Sequence, residues 1–314
     1  MRILVASSID DRAVEYLSSR HDVVFALNAD EDRIKSLIGD RQVLVFRSGV
    51  RVSAAVLGCA PQLRTIIRAG SGLDNLDLEE VRRRGISLER IPGPGAQAVA
   101  ELSFGLMLAL ARQIMLADRL LRQGHWAKGE VIGHLLVGKT LGVIGVGNIG
   151  GQVARLGAAW GMRVIGCVES PSSTRAQELA DAGIELMDCA AVLREADFVS
   201  VHVPLKESSH RLIDAAALAT MKPGAFLVNM ARGGVVDEEA LHRELTTEGR
   251  LAGAGLDVHE QEGEGKISPL AALPNVILTP HIGATTIDSQ REIGREIVRI
   301  IRALEGNEKE GIAK

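Results

Sequence analysis

The segment "TLGVIGVGNIGGQVARLGAAWGMRVIGCVES", at residues 140–170, decides the fold of this chain. It opens with an apolar strand-like run, passes through Gly145-x-Gly147-x-x-Gly150 into a helical stretch, and closes with a second apolar run. This order predicts a βαβ unit with the glycines at its first turn. An isolated glycine motif would be weak, but the flanking strand and helix give it the required context.

The glycines of this turn predict a loop that binds the pyrophosphate of a dinucleotide. They permit a tight turn, a close approach of the phosphates and close packing of the helix on the sheet. The amino terminus of the helix offers unpaired amides to the phosphate charge. A plain glycine-rich turn is the structural alternative, and the βαβ context favours the binding loop.

The end of the second strand is where an acid would bind the adenosine ribose. Glu169 lies close to the expected distance of about 20 residues from the glycine loop. Val168 occupies the strand end itself, and neighbouring residues of a strand point to opposite faces. We predict Glu169 as the ribose ligand and NAD as the cofactor. Arg175 lies near enough in the chain to leave NADP as the alternative.

Composition and charge narrow the class of protein. The 314 residues are enough for two domains, and the net charge of −4 argues against a nucleic-acid surface. The chain opens without the layout of a signal peptide, and Glu101 and Arg112 interrupt its most apolar region, 98–117. We therefore expect a cytoplasmic protein that does not span a membrane. Three cysteines form no C-x-x-C pair and are predicted to be buried in a reducing compartment: Cys59, Cys167 and Cys189.

Strand and helix patterns alternate along most of the chain. In the first 90 residues they are short, which indicates a small parallel α/β domain. "IPGPG" at 91–95 marks a boundary, because its prolines and glycines cannot continue a strand or a helix. A single helix over 96–122 follows, and it is apolar around most of its circumference. Such a helix is predicted to be buried between domains or against a second subunit.

Ligands of a doubly wound sheet bind beyond the carboxyl ends of its strands. Charged residues follow three predicted strands at this edge, namely Arg232 after 225–230, Asp257 and Glu262 after 253–256, and His281 after 275–278. Histidine titrates near neutrality, so it can donate and accept the proton of a carbonyl reduction. Arginine offers a planar fork that suits a carboxylate. This set predicts hydride transfer to a 2-oxo acid and, in the reverse direction, from the 2-hydroxy acid.

Each of these residues also has a purely structural interpretation. Arg232 could pair with Asp237, Glu262 could be a solvated loop acid, and a lone histidine is more often structural than catalytic. The convergence of three such side chains on one sheet edge favours catalysis. His202 lies within a predicted strand and is interpreted as structural.

Taken together, these motifs resemble those of the D-isomer-specific 2-hydroxyacid dehydrogenases, and most closely those of the catalytic part of the D-3-phosphoglycerate dehydrogenases. The likeness runs from "VFRSG" (45–49) to "TPHIGATT" (279–286) and includes "RAGSGLDNLDLE", "AELSFGLMLALARQI", "GKTLGVIGVGNIG", "VNMARGGVVDEEAL" and "AGAGLDVHEQE". Several long blocks in the right order are far more specific than one motif.

The resemblance implies roles for individual residues. Arg232 would bind the substrate, Glu262 would support the histidine, and His281 would be the proton donor. The cofactor-binding set that it implies is Ser71, Gly145, Gly147, Asn148, Ile149, Gly150, Glu169, Val203, Pro204, Met230, Ala231, Arg232, Asp257, His281, Gly283 and Ala284. The substrate-binding set is Arg47, Ser48, Gly49, Gly70, Ser71, Gly72 and Arg232. It implies no metal.

The resemblance also implies a fold and an assembly. A Rossmann-type doubly wound parallel sheet, residues 94–285, would be inserted into a smaller flavodoxin-like α/β substrate domain, residues 1–93 and 286–314. A homodimer through the nucleotide-binding domain would cover the apolar helix. The chain departs from the family at Val168, where an acid is usual, at His259, where phenylalanine is frequent, and at Gly263, where proline is frequent. The last two departures predict a looser loop around Glu262.

We predict an NAD-dependent oxidoreductase that transfers a hydride between nicotinamide and C2 of a D-2-hydroxy acid, with 3-phosphoglycerate as a candidate substrate. Reduction of glyoxylate or hydroxypyruvate is the enzymatic alternative. A phosphorylated substrate would need further cations, for which Arg47, Arg51 and Arg68 are candidates. A non-catalytic NAD(H)-sensing scaffold is the alternative of another class, because fold alone does not decide function.

Overall fold

The computed structural model describes residues 1–27, 29–246 and 249–312. The chain divides into two compact units, which we call unit 1 (Met1–Gly95 with Thr285–Lys314) and unit 2 (Ala96–Ala284). The predicted domains meet after residues 93 and 285, whereas the units meet after residues 95 and 284. The two boundaries therefore differ by two residues and by one residue. Both units are built on parallel sheets, so the predicted α/β fold class is confirmed.

Unit 1 has a five-stranded parallel sheet in the order β2-β1-β3-β4-β5, which is the flavodoxin-like order. Its strands are β1 (Arg2–Val5), β2 (Asp22–Phe25), β3 (Val43–Phe46), β4 (Thr65–Arg68) and β5 (Ser87–Arg90). Its helices are α1 (Asp11–Arg20), α2 (Glu31–Leu37), α3 (Ala54–Gly58), α4 (Leu78–Arg83) and α12 (Ile287–Ile312). The sequence patterns did not predict α3.

Both faces of the unit 1 sheet are covered. Ile3 and Val5 of β1 belong to one apolar cluster, whereas Leu4 between them belongs to the other. This alternation is what a strand buried on both faces requires. The α12 helix returns from the far end of the chain and packs against α1, where Gly294 allows contact with Asp10.

Unit 2 has a seven-stranded parallel sheet in the order β12-β11-β10-β9-β6-β7-β8. Its strands are β6 (Thr140–Ile144), β7 (Arg163–Cys167), β8 (Glu185–Leu186), β9 (Phe198–Val201), β10 (Phe226–Asn229), β11 (Gly253–Leu256) and β12 (Val276–Leu278). The chain starts in the middle, runs outward to β8, and then returns to the other side of β6. The order therefore reverses between β6 and β9, and this switch point is where open α/β sheets bind ligands.

The helices of unit 2 lie between these strands. They are α5 (Pro94–Ala111), which begins just before the unit limit, α6 (Ile114–Arg122), α7 (Asn148–Ala159), α8 (Ser173–Asp181), α9 (Cys189–Glu195), α10 (Ala215–Thr220) and α11 (Glu238–Leu245). Apolar side chains buried between the helices and the sheet form two clusters in the unit.

The predicted single helix over 96–122 is wrong. α5 ends at Ala111, and Gln113 takes a left-handed φ of 51°, which breaks the helix before α6 begins. By length and composition α5 could cross a membrane, but ten of its 18 residues are buried, as in a core helix. No residue of α6 is buried. The predicted burial of all three cysteines is also wrong, because Cys59 is exposed.

Candidate active site

The carboxyl ends of β10, β11 and β12 form one edge of the unit 2 sheet. Asn229 pairs with Leu256, and Leu256 pairs with Leu278, so the three strands end at the same level. The loops that follow them carry Arg232, Glu262 and His281, respectively. The topology thus places the three predicted catalytic residues in neighbouring loops.

Glu262 and His281 form a hydrogen-bonded pair at this edge. Nδ1 of His281 lies 3.0 Å from Oε2 of Glu262, and the His259 amide donates to Oε1 of the same carboxylate at 3.2 Å. Burial raises the pKa of Glu262, but the hydrogen bond and charge of His281 outweigh it and hold that pKa below its usual range. The carboxylate is therefore ionised at neutral pH and directs Nε2 of His281 away from itself.

The backbone of His281 is held in an unusual conformation by a buried aspartate. His281 has a φ of +54°, which side chains other than glycine rarely adopt. Asp257, only 2% exposed, accepts hydrogen bonds from the Thr279 hydroxyl at 2.6 Å, the Ile282 amide at 2.8 Å and the Gly283 amide at 2.7 Å. Its carbonyl accepts from the His281 amide at 2.8 Å. These four bonds fix the turn from which the imidazole projects.

The loop of Arg232 is held by the end of its own strand. The Asn229 side chain accepts from the Ala231 amide at 3.1 Å and donates to the Arg232 carbonyl at 3.2 Å. A Cβ at Gly233 would lie 1.8 Å from the His259 carbonyl oxygen, so only glycine fits there. The loop that carries Arg232 is therefore packed directly on the loop that carries Glu262.

Asp237, the proposed structural partner of Arg232, has other contacts. Its carboxylate caps α11 by accepting from the Ala240 amide at 2.9 Å, and its second oxygen lies 3.4 Å from Arg211. These two contacts use both of its oxygens in helix capping and in a surface ion pair.

The glycine loop has the shape that a pyrophosphate site requires. Gly145 has a φ of +93°, and its amide donates to the Cys167 carbonyl at 3.0 Å. A Cβ at Gly150 would lie 2.2 Å from the Gly145 carbonyl oxygen, so α7 could not pack so closely with any other residue. Gly147 precedes α7 without any side-chain cap, and nothing lies within 4 Å of its Cβ position. The first amides of α7 can therefore bind a phosphate, with Asn148 and Ile149 in that turn.

Residues in the loops after β9, β10 and β12 complete the predicted cofactor set in unit 2. Val203, which follows β9, packs against Gly145, and Pro204 comes next. Met230 and Ala231, which follow β10, are 5% and 4% exposed. Gly283, followed by Ala284, lies against the Asp257 carboxylate. A Cβ at Gly283 would lie only 2.9 Å from Oδ2 of Asp257.

Glu169 has partners that the sequence patterns did not reveal. Its carboxylate accepts hydrogen bonds from the Lys206 ammonium and, at 3.1 Å, from the Ser208 hydroxyl. The Lys206 bond is the main reason that the pKa of Glu169 lies below its usual range. Arg175 donates to the Val146 carbonyl in the glycine loop at 3.2 Å. An ionised Glu169 near this loop can accept ribose hydroxyls, as NAD requires.

Comparison with known proteins identifies the family. The sequence profile of the D-isomer specific 2-hydroxyacid dehydrogenase NAD binding domain matches residues 104–283. The chain belongs to the D-isomer specific 2-hydroxyacid dehydrogenases. It is 40% identical to a hydroxypyruvate reductase from Thermotoga maritima, over 96% of this chain and 97% of that protein. It is also 40% identical to a D-3-phosphoglycerate dehydrogenase from Methanocaldococcus jannaschii, over 96% of this chain but only 57% of that protein.

A solved structure supports the same assignment. The D-lactate dehydrogenase of Aquifex aeolicus, in complex with NAD and lactic acid, is 28% identical with a TM-score of 0.85, covering 99% of this chain and 97% of that one. The predicted family, the enzyme class and the cofactor NAD are therefore confirmed. Unit 2 contains the NAD-binding domain of this dehydrogenase.

The predicted substrate-binding residues other than Arg232 lie in unit 1, in the loops after β3 and β4. The Arg47 amide donates to Ser7 at 2.9 Å, and Asn75 donates to the Val50 carbonyl at 2.6 Å, which holds the loop of Ser48 and Gly49. Burial lowers the pKa of Arg47, but arginine stays charged throughout the range in which enzymes work. The second loop contains Gly70, with a φ of +157°, followed by Ser71 and Gly72.

His202 agrees with its structural interpretation. Its Nε2 lies 2.8 Å from the Ser200 hydroxyl, and burial lowers its pKa to about 3. It is therefore neutral at physiological pH and unsuited to donate a proton. The residues that the sequence patterns missed are those that position others, namely Lys206, Ser208, Asn229 and Thr279.

Proposed function

We propose that this dehydrogenase reduces hydroxypyruvate or a similarly small 2-oxo acid to the D-2-hydroxy acid, with His281 as proton donor. The observation that carries the proposal is the 3.0 Å pair between Nδ1 of His281 and Glu262, because it leaves Nε2 available for a substrate oxygen. An oriented imidazole with an ionised carboxylate beside it weighs against a non-catalytic sensing scaffold.

The side chains of unit 2 can perform each part of the reaction. Bound NADH supplies the hydride that is added to C2 of the substrate. The imidazolium of His281 gives its proton to the carbonyl oxygen, while ionised Glu262 stabilises the charged ring before transfer. In the reverse direction the neutral ring accepts the hydroxyl proton. Arg232 binds the substrate carboxylate with its planar fork and cannot lose its own proton.

The cations of unit 1 favour a substrate with a small, uncharged substituent at C3. A phosphate there would need several cations, and of the three candidates Arg68 is only 2% exposed, with its guanidinium over the Phe46 ring. The hydroxypyruvate reductase relative matches this chain over nearly its whole length. Phosphohydroxypyruvate is the second candidate, since Arg47 is half-buried in a predicted substrate loop and Arg51 is exposed nearby.

The test is a comparison of initial rates of NADH oxidation with hydroxypyruvate, glyoxylate, pyruvate and phosphohydroxypyruvate, with NADPH in parallel. We expect the highest kcat/KM with hydroxypyruvate and a preference for NADH, because the Glu169 carboxylate can accept hydrogen bonds from free ribose hydroxyls. A higher kcat/KM with phosphohydroxypyruvate would reject the choice of substrate. Faster turnover with NADPH would reject the assignment of Glu169, and no turnover of any acid would contradict the proposed function.

We also propose that the protein is a homodimer that buries α6 and the segment after it. Apolar side chains of this region are exposed in the single chain: Ile114, Met115, Leu121, Trp126, Ile132, Leu135 and Val137. Such a concentration of exposed apolar side chains is typical of an interface.

The oligomeric state tests this interface directly. We expect light scattering to give twice the chain mass of 33.5 kDa. Met115→Glu should lower the measured mass towards one chain, because it would bury a charge in the interface. Ile267→Glu, at a residue 82% exposed outside the region, is the control and should leave the mass unchanged. A wild-type protein with the mass of one chain would contradict the proposal.

A further inference from the structure

The loop that carries Glu262 has little packing of its own. Residues 260–267 are all exposed, and Gly263 and Gly265 have φ values of +122° and +74°. Exposed segments with glycines and few apolar contacts open easily. Yet His281 needs the Glu262 carboxylate at a fixed place. The His259 amide holds this carboxylate from within the loop, so the loop itself needs an anchor outside it.

A buried carboxylate on α11 contacts this loop near both of its ends. Glu238 is 3% exposed, and its Oε1 accepts a hydrogen bond from the Glu260 amide at 2.7 Å. Its Oε2 accepts from the Ser268 hydroxyl at 2.8 Å. In return the Glu238 amide donates to Oε1 of the Glu260 carboxylate at 3.4 Å. One side chain thus holds the loop before Glu262 and again after it.

The position of Glu238 makes it a rigid anchor. It is the first residue of α11, where the helix dipole and the free amides favour negative charge. Ala240 and Leu241 of the same helix are 1% and 0% exposed, so the helix itself is fixed in the core. A buried carboxylate is costly unless it is hydrogen-bonded, and here both oxygens have donors.

We propose that Glu238 is a positioning residue for catalysis, which holds Glu262 against His281 through the Glu260 amide and the Ser268 hydroxyl. The inference rests on the proposed roles of Glu262 and His281. From Glu260 the connection to the pair is short, because the next residue back, His259, donates its amide to the Glu262 carboxylate. Loss of the anchor would let the carboxylate move away from the imidazole without removing either group.

The first test compares Glu238→Ala with Glu239→Ala. Glu239 is the next residue of α11, carries the same charge and is exposed, so it controls for the change in charge and helix sequence. We expect Glu238→Ala to lower kcat roughly 10- to 100-fold, the loss typical of a misplaced catalytic group. The Kd for NADH should stay unchanged, as should the kcat of Glu239→Ala. Glu238→Gln should lose less, because its amide oxygen still accepts one hydrogen bond.

A double-mutant cycle with Glu262→Gln separates positioning from general damage. If Glu238 acts through Glu262, then Glu238→Ala should cost little more once Glu262 has been replaced, because coupled residues are not additive. The alkaline decline of the reduction rate should also begin at a lower pH in both single variants than in the wild type. The reason is that the Glu262 carboxylate no longer stabilises the charged imidazole. An additive loss, or a Glu238→Ala variant with wild-type kcat, would overturn the inference.

The outcomes also distinguish this inference from the proposed function. Wild-type activity in Glu262→Gln would reject the catalytic pair itself, and the role of Glu238 would fall with it. If Glu262→Gln lowers kcat but its loss adds to that of Glu238→Ala, only the anchoring role of Glu238 is rejected. Thermal unfolding and NADH binding show whether Glu238→Ala folds. If it does not, the same cycle is run with Glu238→Gln and Ser268→Ala, each of which removes part of the anchor, and additive losses there reject it equally.

Discussion

His281→Ala is expected to lower kcat about 10²–10⁴-fold in both directions, the usual contribution of a general acid and base. The reason is that the imidazole is placed for this one task, with Nδ1 held by Glu262 at 3.0 Å and its backbone fixed by Asp257. Steady-state rates of hydroxypyruvate reduction and D-glycerate oxidation measure the loss. The Kd for NADH should change little, because the glycine loop and α7 are untouched.

The pH profile provides an internal check on this variant. Reduction needs a general acid to protonate the carbonyl oxygen, so the wild-type reduction rate should fall at alkaline pH. That limb should be absent from the residual activity of His281→Ala. At acid pH the Glu262–His281 pair persists until pH falls through the pKa of Glu262, which lies below its usual value. A carboxyl group with a depressed pKa in the folded state stabilises that state above its unfolded-state pKa. This contribution is lost as pH falls through the folded-state pKa. Replacement of the structural His202 by Asn should retain the alkaline limb, and an unchanged kcat in His281→Ala would reject the proton donor.

Arg232→Ala is expected to lower kcat/KM for hydroxypyruvate about 10²–10⁴-fold, because it removes two charge-assisted hydrogen bonds of about 1.5–3 kcal/mol each. Arg232→Lys should recover only part of this loss, since an ammonium keeps the charge but not the planar fork. The loss should be smaller for a neutral 2-oxo compound that lacks a carboxylate. Steady-state kinetics with both substrates measure the difference.

Arg211→Ala is the matched control for this prediction. Arg211 is an arginine of the same sheet edge region that is half exposed and pairs with Asp237. Its loss should leave kcat/KM nearly unchanged, as exposed ion pairs contribute little. Equal losses with the carboxylate and the neutral substrate in Arg232→Ala would contradict carboxylate binding by Arg232.

The sequence predicts the elements whose signals are local. The glycine turn at 145–150 combines a strand, a turn and a helix within one short stretch, and each part has its own pattern. Arg232 and His281 could be predicted because the residue after a parallel strand must emerge at the ligand edge, wherever the strand lies in the sheet. These residues are recognised by their place in the chain, and the structure brings Glu262 and His281 together.

The features that could not be predicted depend on contacts between distant parts of the chain. The pairing of Glu169 with Lys206 joins residues 37 apart, and that of Glu238 with Glu260 joins residues 22 apart. No periodicity indicates which charged side chain will meet another. The break at Gln113 was missed for a different reason, because the apolar pattern continues through it while its backbone φ changes sign.

The configuration of the product tests the proposed reaction directly. Hydroxypyruvate is reduced with NADH by the purified protein, and the two enantiomers of glycerate are separated and quantified by chiral chromatography. A D-2-hydroxyacid dehydrogenase with a fixed proton donor and a fixed carboxylate ligand presents one face of the carbonyl to the hydride. We therefore predict D-glycerate as essentially the whole product. L-glycerate, or a mixture of both enantiomers, would contradict the proposed D-specific mechanism.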